Sequence, residues 1–167
     1  MSDEPTPVSF PDPHHGPREQ TPDVLLTLTV LGEARGEPTE GKEAVAHVVV
    51  NRTRRHGKSV AEVVLAPWQF SCWNAEDPNK LFLTEVIAKA GQNVPLGVWA
   101  SCWVAAIHAL SGQSADPTQG ATHYCTNSLW GADDLDRRPR WFSKQEQEVG
   151  RTIETARIGD HVFAAVA

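Results

Sequence analysis

Residues 21–38 read Thr-Pro-Asp-Val-Leu-Leu-Thr-Leu-Thr-Val-Leu-Gly-Glu-Ala-Arg-Gly-Glu-Pro, and this stretch decides the kind of fold that surrounds it. Thr21 offers a capping hydroxyl, Pro22 takes the first helical position, where its missing N–H has no partner to lose, and Asp23 adds an early acid. Together they start a helix. Leu25, Leu26, Leu28, Val30 and Leu31 make that helix apolar around most of its circumference, which places it inside a helical domain. Pro38 pushes Glu37 out of helical geometry, so the helix stops near Gly36 and Glu33 falls in its last turn. A carboxyl there is partly desolvated and faces the negative end of the helix dipole. Both effects disfavour its charge, which is the condition of a general acid. A plainer reading stands beside this one, in which Glu33 merely ends the helix and pairs with Arg35 or Arg52. Gly32 and Gly36 favour the chemical reading, because glycines clear room for a ligand to approach the backbone.

Working outward, Thr39 opens a second helix carrying Ala44, Val45, Val48, Val49 and Arg52 at helical spacing, with Gly57 as its stop. Ser59 and Glu62 form a capping box for a short third helix, Val60 to Ala66, ended by Pro67. The aromatic segment Pro67-Trp-Gln-Phe-Ser-Cys-Trp73 is irregular. Asp77-Pro78 starts another helix through Leu83, Val86 and Ile87, and a longer one runs from about Pro95 to Leu110, closed by Gly112. Ala121 to Cys125 reads as a short strand. Ile153 to Arg157 and His161 to Val166, flanking Ile158-Gly-Asp160, read as a terminal hairpin. The fold class is α+β: mainly helical, with a small hairpin region near the C-terminus. Five prolines fall within the first 20 residues and deny that stretch both helix and ladder. The expected organisation is a disordered, acidic tail over residues 1–20 and one domain over residues 21–167.

Composition narrows the function. Of 167 residues, 40% are hydrophobic and 22% charged, and no run approaches the ~18 apolar residues of a spanning helix, so membrane insertion is not expected. The net charge of −6 argues against a nucleic-acid partner. The acidic, proline-rich start is unlike an export signal, and the expectation is a protein made in the cytoplasm that reaches its target after release. Cys72, Cys102 and Cys125 are an odd number of thiols, expected to be reduced and structural. The seven histidines are scattered and no His-Glu-x-x-His is present, so no metal or other cofactor is expected.

The segment Gly32-Glu-Ala-Arg-Gly-Glu-Pro38, followed by Gly41, Ala44-Val45-Ala46 and Val50-Asn51-Arg52, resembles the catalytic domain of the spore-cortex-lytic and cell-wall hydrolase family. Three further blocks follow in the family's order: Gln69-Phe70-Ser71, Asp116-Pro-Thr-Gln-Gly-Ala-Thr-His-Tyr124 and Arg157-Ile-Gly-Asp-His-Val-Phe163. The resemblance spans about residues 24–166. It implies a compact lysozyme-like domain that cleaves peptidoglycan glycan strands between N-acetylmuramic acid and N-acetylglucosamine, as a muramidase or lytic transglycosylase. It assigns the catalytic acid to Glu33 and a glycan groove to Glu37, Gln69, Phe70, Thr122, His123 and Tyr124. Cys125 stands where the family often has an aromatic residue, and residues 126–144 lack the expected patterning. The lack of an export signal fits a monomeric, endolysin-like lysis enzyme that depends on a separate membrane-permeabilising protein, or a host-encoded enzyme delivered as part of a larger particle.

Glycoside cleavage needs a proton donor and something to stabilise the oxocarbenium-like centre. Glu37, Asp116 and the pair Asp133/Asp134 are the candidates for a second carboxylate. Otherwise the substrate's own N-acetyl group or C6 hydroxyl serves. Trp99 and Trp103, four residues apart on a helix, read as core. Trp68 and Trp73 read equally as core or as sugar-stacking residues. Three rivals remain: a cysteine peptidase or amidase using Cys72 or Cys125 with His123, a zinc amidase, and a non-catalytic wall-binding module.

Overall fold

A computed structural model, which describes residues 6–130 and 150–167, buries helix α1 (Pro22–Ala34) continuously from Val24 to Gly32. Helices α2 (Thr39–His56) and α5 (Leu96–Ser111) pack along it, and α3 (Val60–Val64) and α4 (Pro78–Ala88) also pack on it. This explains why α1 lacks a polar face: neighbours take up all of its sides. Ala44, Val45, Val48 and Val49 of α2 and Trp99, Cys102, Ala106 and Ala109 of α5 are among the core residues around it.

The helix ends follow local chemistry. Ser59 Oγ accepts from the Glu62 amide at 3.2 Å while Glu62 Oε2 accepts from the Ser59 amide at 2.8 Å, so the capping box is formed. Asp77 caps α4 through the Asn79 amide at 2.8 Å. Gly112 closes α5 in the left-handed region at φ +74°, where a side chain would be strained. Thr21 sits at the N-cap of α1 but its hydroxyl makes no capping bond, so Pro22 and burial carry that start. The Glu37 amide bonds the Ala34 carbonyl at 3.0 Å, turning the chain out of α1 immediately after Glu33.

The C-terminal part is a three-stranded antiparallel sheet in the order β1-β3-β2, from β1 (His123–Thr126), β2 (Thr152–Ile158) and β3 (His161–Val166). Strand β3 lies in the middle and pairs Phe163 with Tyr124 on one side and Ala156 on the other. The expected hairpin is present, and the strand expected from Ala121 joins it, beginning instead at His123. One short helix that the sequence did not suggest, α6 (Asn127–Trp130), follows β1.

The expectation of an unpacked tail is corrected for residues 6–20. Phe10 stacks on Trp99 with ring centroids 5.7 Å apart, the Trp99 indole donates to the Ser9 carbonyl at 2.9 Å, and Pro11 is buried. Gln20 ties the segment into a loop, its Nε2 donating to the carbonyls of Asp12 and His15 and its Oε1 accepting from the Asp12 amide. Prolines exclude a ladder but not side-chain packing. Among the described residues, no helix is long and apolar enough to cross a membrane.

Candidate active site

Glu33 opens into a cleft of ≈ 490 Å³ between the end of α1, the segment Trp68–Asn74, β1 with α6, and the start of β3. Three donors converge on its carboxyl. The Cys72 amide reaches Oε1 at 2.8 Å, the Ser71 hydroxyl reaches the same oxygen at 3.2 Å, and the Tyr124 hydroxyl reaches Oε2 at 2.7 Å. Glu33 pairs with neither arginine. Arg35 turns to the Asn79 side chain at 2.8 Å and lies over the Phe82 ring. Arg52, buried, donates to the Thr122 carbonyl and to Gln69 Oε1 at 3.0 Å and covers Phe70.

Gly32 explains how an amide can reach a carboxyl at a helix end. A Cβ at this position would stand 2.6 Å from Cys72 Cβ and 3.0 Å from both Cys72 Sγ and Leu83 Cδ1. Its bareness lets the short 3-10 turn Ser71–Trp73 press onto α1, so the space it clears is filled by the protein itself rather than by a ligand. The Trp73 indole anchors the same turn through Thr29 Oγ1 at 3.0 Å.

Of the residues assigned by resemblance, Gln69, His123 and Tyr124 line the cleft with Glu33. Phe70 and Thr122 do not reach it, being 1% and 4% exposed: Phe70 lies under Tyr124 and Arg52, and the Thr122 hydroxyl meets His123 Nδ1 at 2.9 Å. They support the groove and do not line it. Glu37 does not line this cleft; together with Glu33 and Asn79 it lines a second recess of ≈ 350 Å³. Its side chain packs against the β2–β3 turn, with Oε1 3.6 Å from His161 Nδ1 and Oε2 so close to Gly159 that no Cβ would fit there. Ser71, Asn74, Thr126, Leu129 and His161 join the cleft without having been assigned. Ser71 and His161 lie inside the quoted blocks, but nothing in a linear pattern aims them at Glu33.

The described carboxylates leave Glu33 alone in this cleft. Asp116 is fully engaged elsewhere: Oδ1 accepts from the amide and hydroxyl of Thr118 and Oδ2 from Asn51 and the Gly120 amide. Burial works against its ionisation, and these hydrogen bonds outweigh it, holding its pKa below the usual carboxylate value. It builds the loop ahead of β1. Asp133 and Asp134 lie outside the described residues, as does most of the unpatterned segment 126–144.

The thiols are poor nucleophiles. Burial, with Glu33 next in importance, pushes Cys72 far above the ordinary thiol range, and burial raises Cys125 and Cys102 to about 11. His123 is held down to about 3 by burial and by Arg52 and Arg55, so it is neutral at pH 7. Burial above all raises the Tyr124 phenol well above its usual value, which keeps it a proton-bearing donor. Among the described residues, no group of three or more His, Cys, Asp or Glu is placed to hold a metal ion.

The family model described as Cell Wall Hydrolase matches residues 36–164, and this chain belongs to that family. Two solved structures share the fold. The catalytic domain of the Bacillus cereus SleB protein aligns with a TM-score of 0.53 at 26% identity, over 85% of this chain and 88% of that one. The catalytic domain of the germination-specific lytic transglycosylase SleB from Bacillus anthracis aligns with a TM-score of 0.54 at 23% identity, over 86% and 94%. No curated protein matches the chain.

Proposed function

We propose that this protein is a lytic transglycosylase of peptidoglycan, with Glu33 acting first as acid and then as base. The observation that carries the reading is the Glu33 carboxyl itself: the one carboxylate of the described cleft, fixed by donors on both oxygens. Membership of the cell wall hydrolase family and the likeness to a protein named as a lytic transglycosylase support it.

The chemistry follows from where the donors sit. Oε1 accepts from two donors, one of them a backbone amide that cannot turn round, so its two lone-pair directions are taken. Oε2 accepts only from Tyr124 and retains a direction for a transferable proton. Glu33 gives that proton to the glycosidic oxygen as the bond from C1 of N-acetylmuramic acid breaks, and N-acetylglucosamine leaves with its 4-hydroxyl restored. The C6 hydroxyl of the same muramic acid then attacks C1, its proton returns to Glu33, and a 1,6-anhydro ring closes without water. A two-carboxylate hydrolase would place its second carboxyl ~5–9.5 Å away across the scissile bond; no other described carboxylate lines the cleft.

Mass spectrometry of products from purified peptidoglycan tests this. Anhydro-muropeptides with intact stem peptides are expected. New reducing ends would replace transglycosylation by hydrolysis, and new free amino groups without new saccharide ends would overturn the glycan reading. The proposal extends to an endolysin-like setting for a monomeric enzyme, in which added protein lyses intact cells only after a separate agent has permeabilised the membrane.

A further inference from the structure

Trp68 is the most exposed of the large apolar side chains described, at 82%, and it stands on the cleft that holds Glu33. Its backbone is as unusual as its exposure. Ala66-Pro67-Trp68-Gln69 is a turn closed by the Gln69 amide on the Ala66 carbonyl at 3.2 Å, and Trp68 takes the third place at φ +65°. That place in a type II turn belongs to Gly or Asn, because a Cβ is strained there. A bulky indole is therefore held in a disfavoured conformation and given no apolar burial in return. Strain of this kind collects at ligand sites.

We infer that the Trp68 indole is a stacking platform for a pyranose ring of the glycan strand, setting the enzyme's selectivity for β-linked sugars; this rests on the reading of the cleft as a glycan site. A pyranose whose substituents are all equatorial presents a flat face of axial C–H groups with polar groups around its edge. An indole face meets the first requirement. Beside it, Asn74 and Gln69 offer amides for hydroxyl and acetamido groups. Arg52 occupies the side-chain carbonyl oxygen of Gln69, which leaves the amide NH₂ as the donor available to a ligand. An extended stem peptide has no such face, so the platform selects glycan.

The test uses the full chain carrying Glu33→Gln, so that binding is read without turnover, and peptide-free glycan strands purified from peptidoglycan as the probe. The parent is expected to bind with a change in tryptophan fluorescence. Adding Trp68→Gly should weaken binding roughly three- to tenfold and remove most of that change, while Trp68→Tyr keeps most of the affinity. Trp68→Gly should also raise the thermal midpoint by about 2–4 °C, because glycine accepts the left-handed turn. In the otherwise wild-type enzyme, Trp68→Gly should raise KM more than it lowers kcat. Unchanged binding and fluorescence in Trp68→Gly would overturn the platform while leaving cleavage by Glu33 intact. A lowered midpoint would also count against it, by showing that the indole serves the fold. Failure of the parent to bind strands, together with failure of the wild type to release saccharide ends, would overturn the glycan reading itself.

Discussion

The Tyr124 hydroxyl donates a 2.7 Å hydrogen bond to Glu33 Oε2 across 91 positions of sequence, joining an outer strand of the sheet to the last turn of the buried helix. Tyr124 is itself held from three sides, edge-on to His161 with centroids 5.1 Å apart, tilted on Phe163 at 5.6 Å and above Phe70 at 6.3 Å. The sheet thus serves as the support that aims one phenol at one carboxyl. Tyr124→Phe keeps the ring and removes the donor. Steady-state kinetics should show kcat lowered about tenfold, the worth of one hydrogen bond to a reacting group, with a thermal midpoint near that of wild type. Unchanged kcat would remove Tyr124 from the mechanism.

Gly32→Ala should be destabilising and inactivating together. The new methyl meets Cys72 Cβ at 2.6 Å, and neither that atom nor the turn behind it can swing away. Overpacking of this kind costs about 1–3 kcal/mol, or roughly 2–10 °C in a chain of this size. The turn that moves carries the amide bonded to Glu33. Calorimetry and wall-lysis assays on one variant check both halves, and a Gly32→Ala protein of normal stability and activity would contradict the packing described here.

His123 makes the fold sensitive to acid. Its folded pKa, lowered to about 3 chiefly by burial, lies below the ordinary 6.5, so the unfolded chain binds the proton first. The stability it contributes is complete above pH 6.5 and is lost as pH falls toward 3. Between about pH 6.5 and 5 the loss reaches at most about 2 kcal/mol. Thermal midpoints measured across this range should fall less steeply in His123→Gln than in wild type.

Thiol chemistry separates this reading from a cysteine enzyme. With Cys125 raised to about 11 and Cys72 higher still, iodoacetamide at neutral pH should leave wall lysis intact. Rapid inactivation would revive the cysteine-nucleophile alternative.

Much of this architecture is legible in sequence because it is local. The Ser59/Glu62 box, the Asp77 cap, the stops at Gly57 and Gly112, and the turn at Gly159-Asp160 depend on residues within a few positions of each other. Glu33 is legible for the same reason, as a carboxyl at the end of an apolar helix. What escapes depends on contacts distant in sequence. Phe10 reaches Trp99 across 89 positions, and composition alone makes that segment a tail. Deleting residues 6–16 should therefore lower the thermal midpoint by more than about 5 °C, through loss of the stack and of the Trp99 hydrogen bond. Glu37 reads as a groove residue because it shares a motif with Glu33. Past the end of the helix the chain changes direction, so Glu37 shares only a second recess with Glu33 and packs against Gly159 and His161, contacts that no local pattern shows.

Glu33 is the proton donor of the proposed cleavage, and the variant that isolates this role is Glu33→Gln. The amide keeps the volume of the side chain but cannot protonate the leaving oxygen. The measurement is the rate at which new saccharide ends appear from purified peptidoglycan, taken beside the thermal midpoint of the same protein. A rate reduced by ~10²–10⁴ or more, with the fold retained, is the expected result. A Glu33→Gln protein that cleaves glycan at the wild-type rate, whatever its stability, would contradict it.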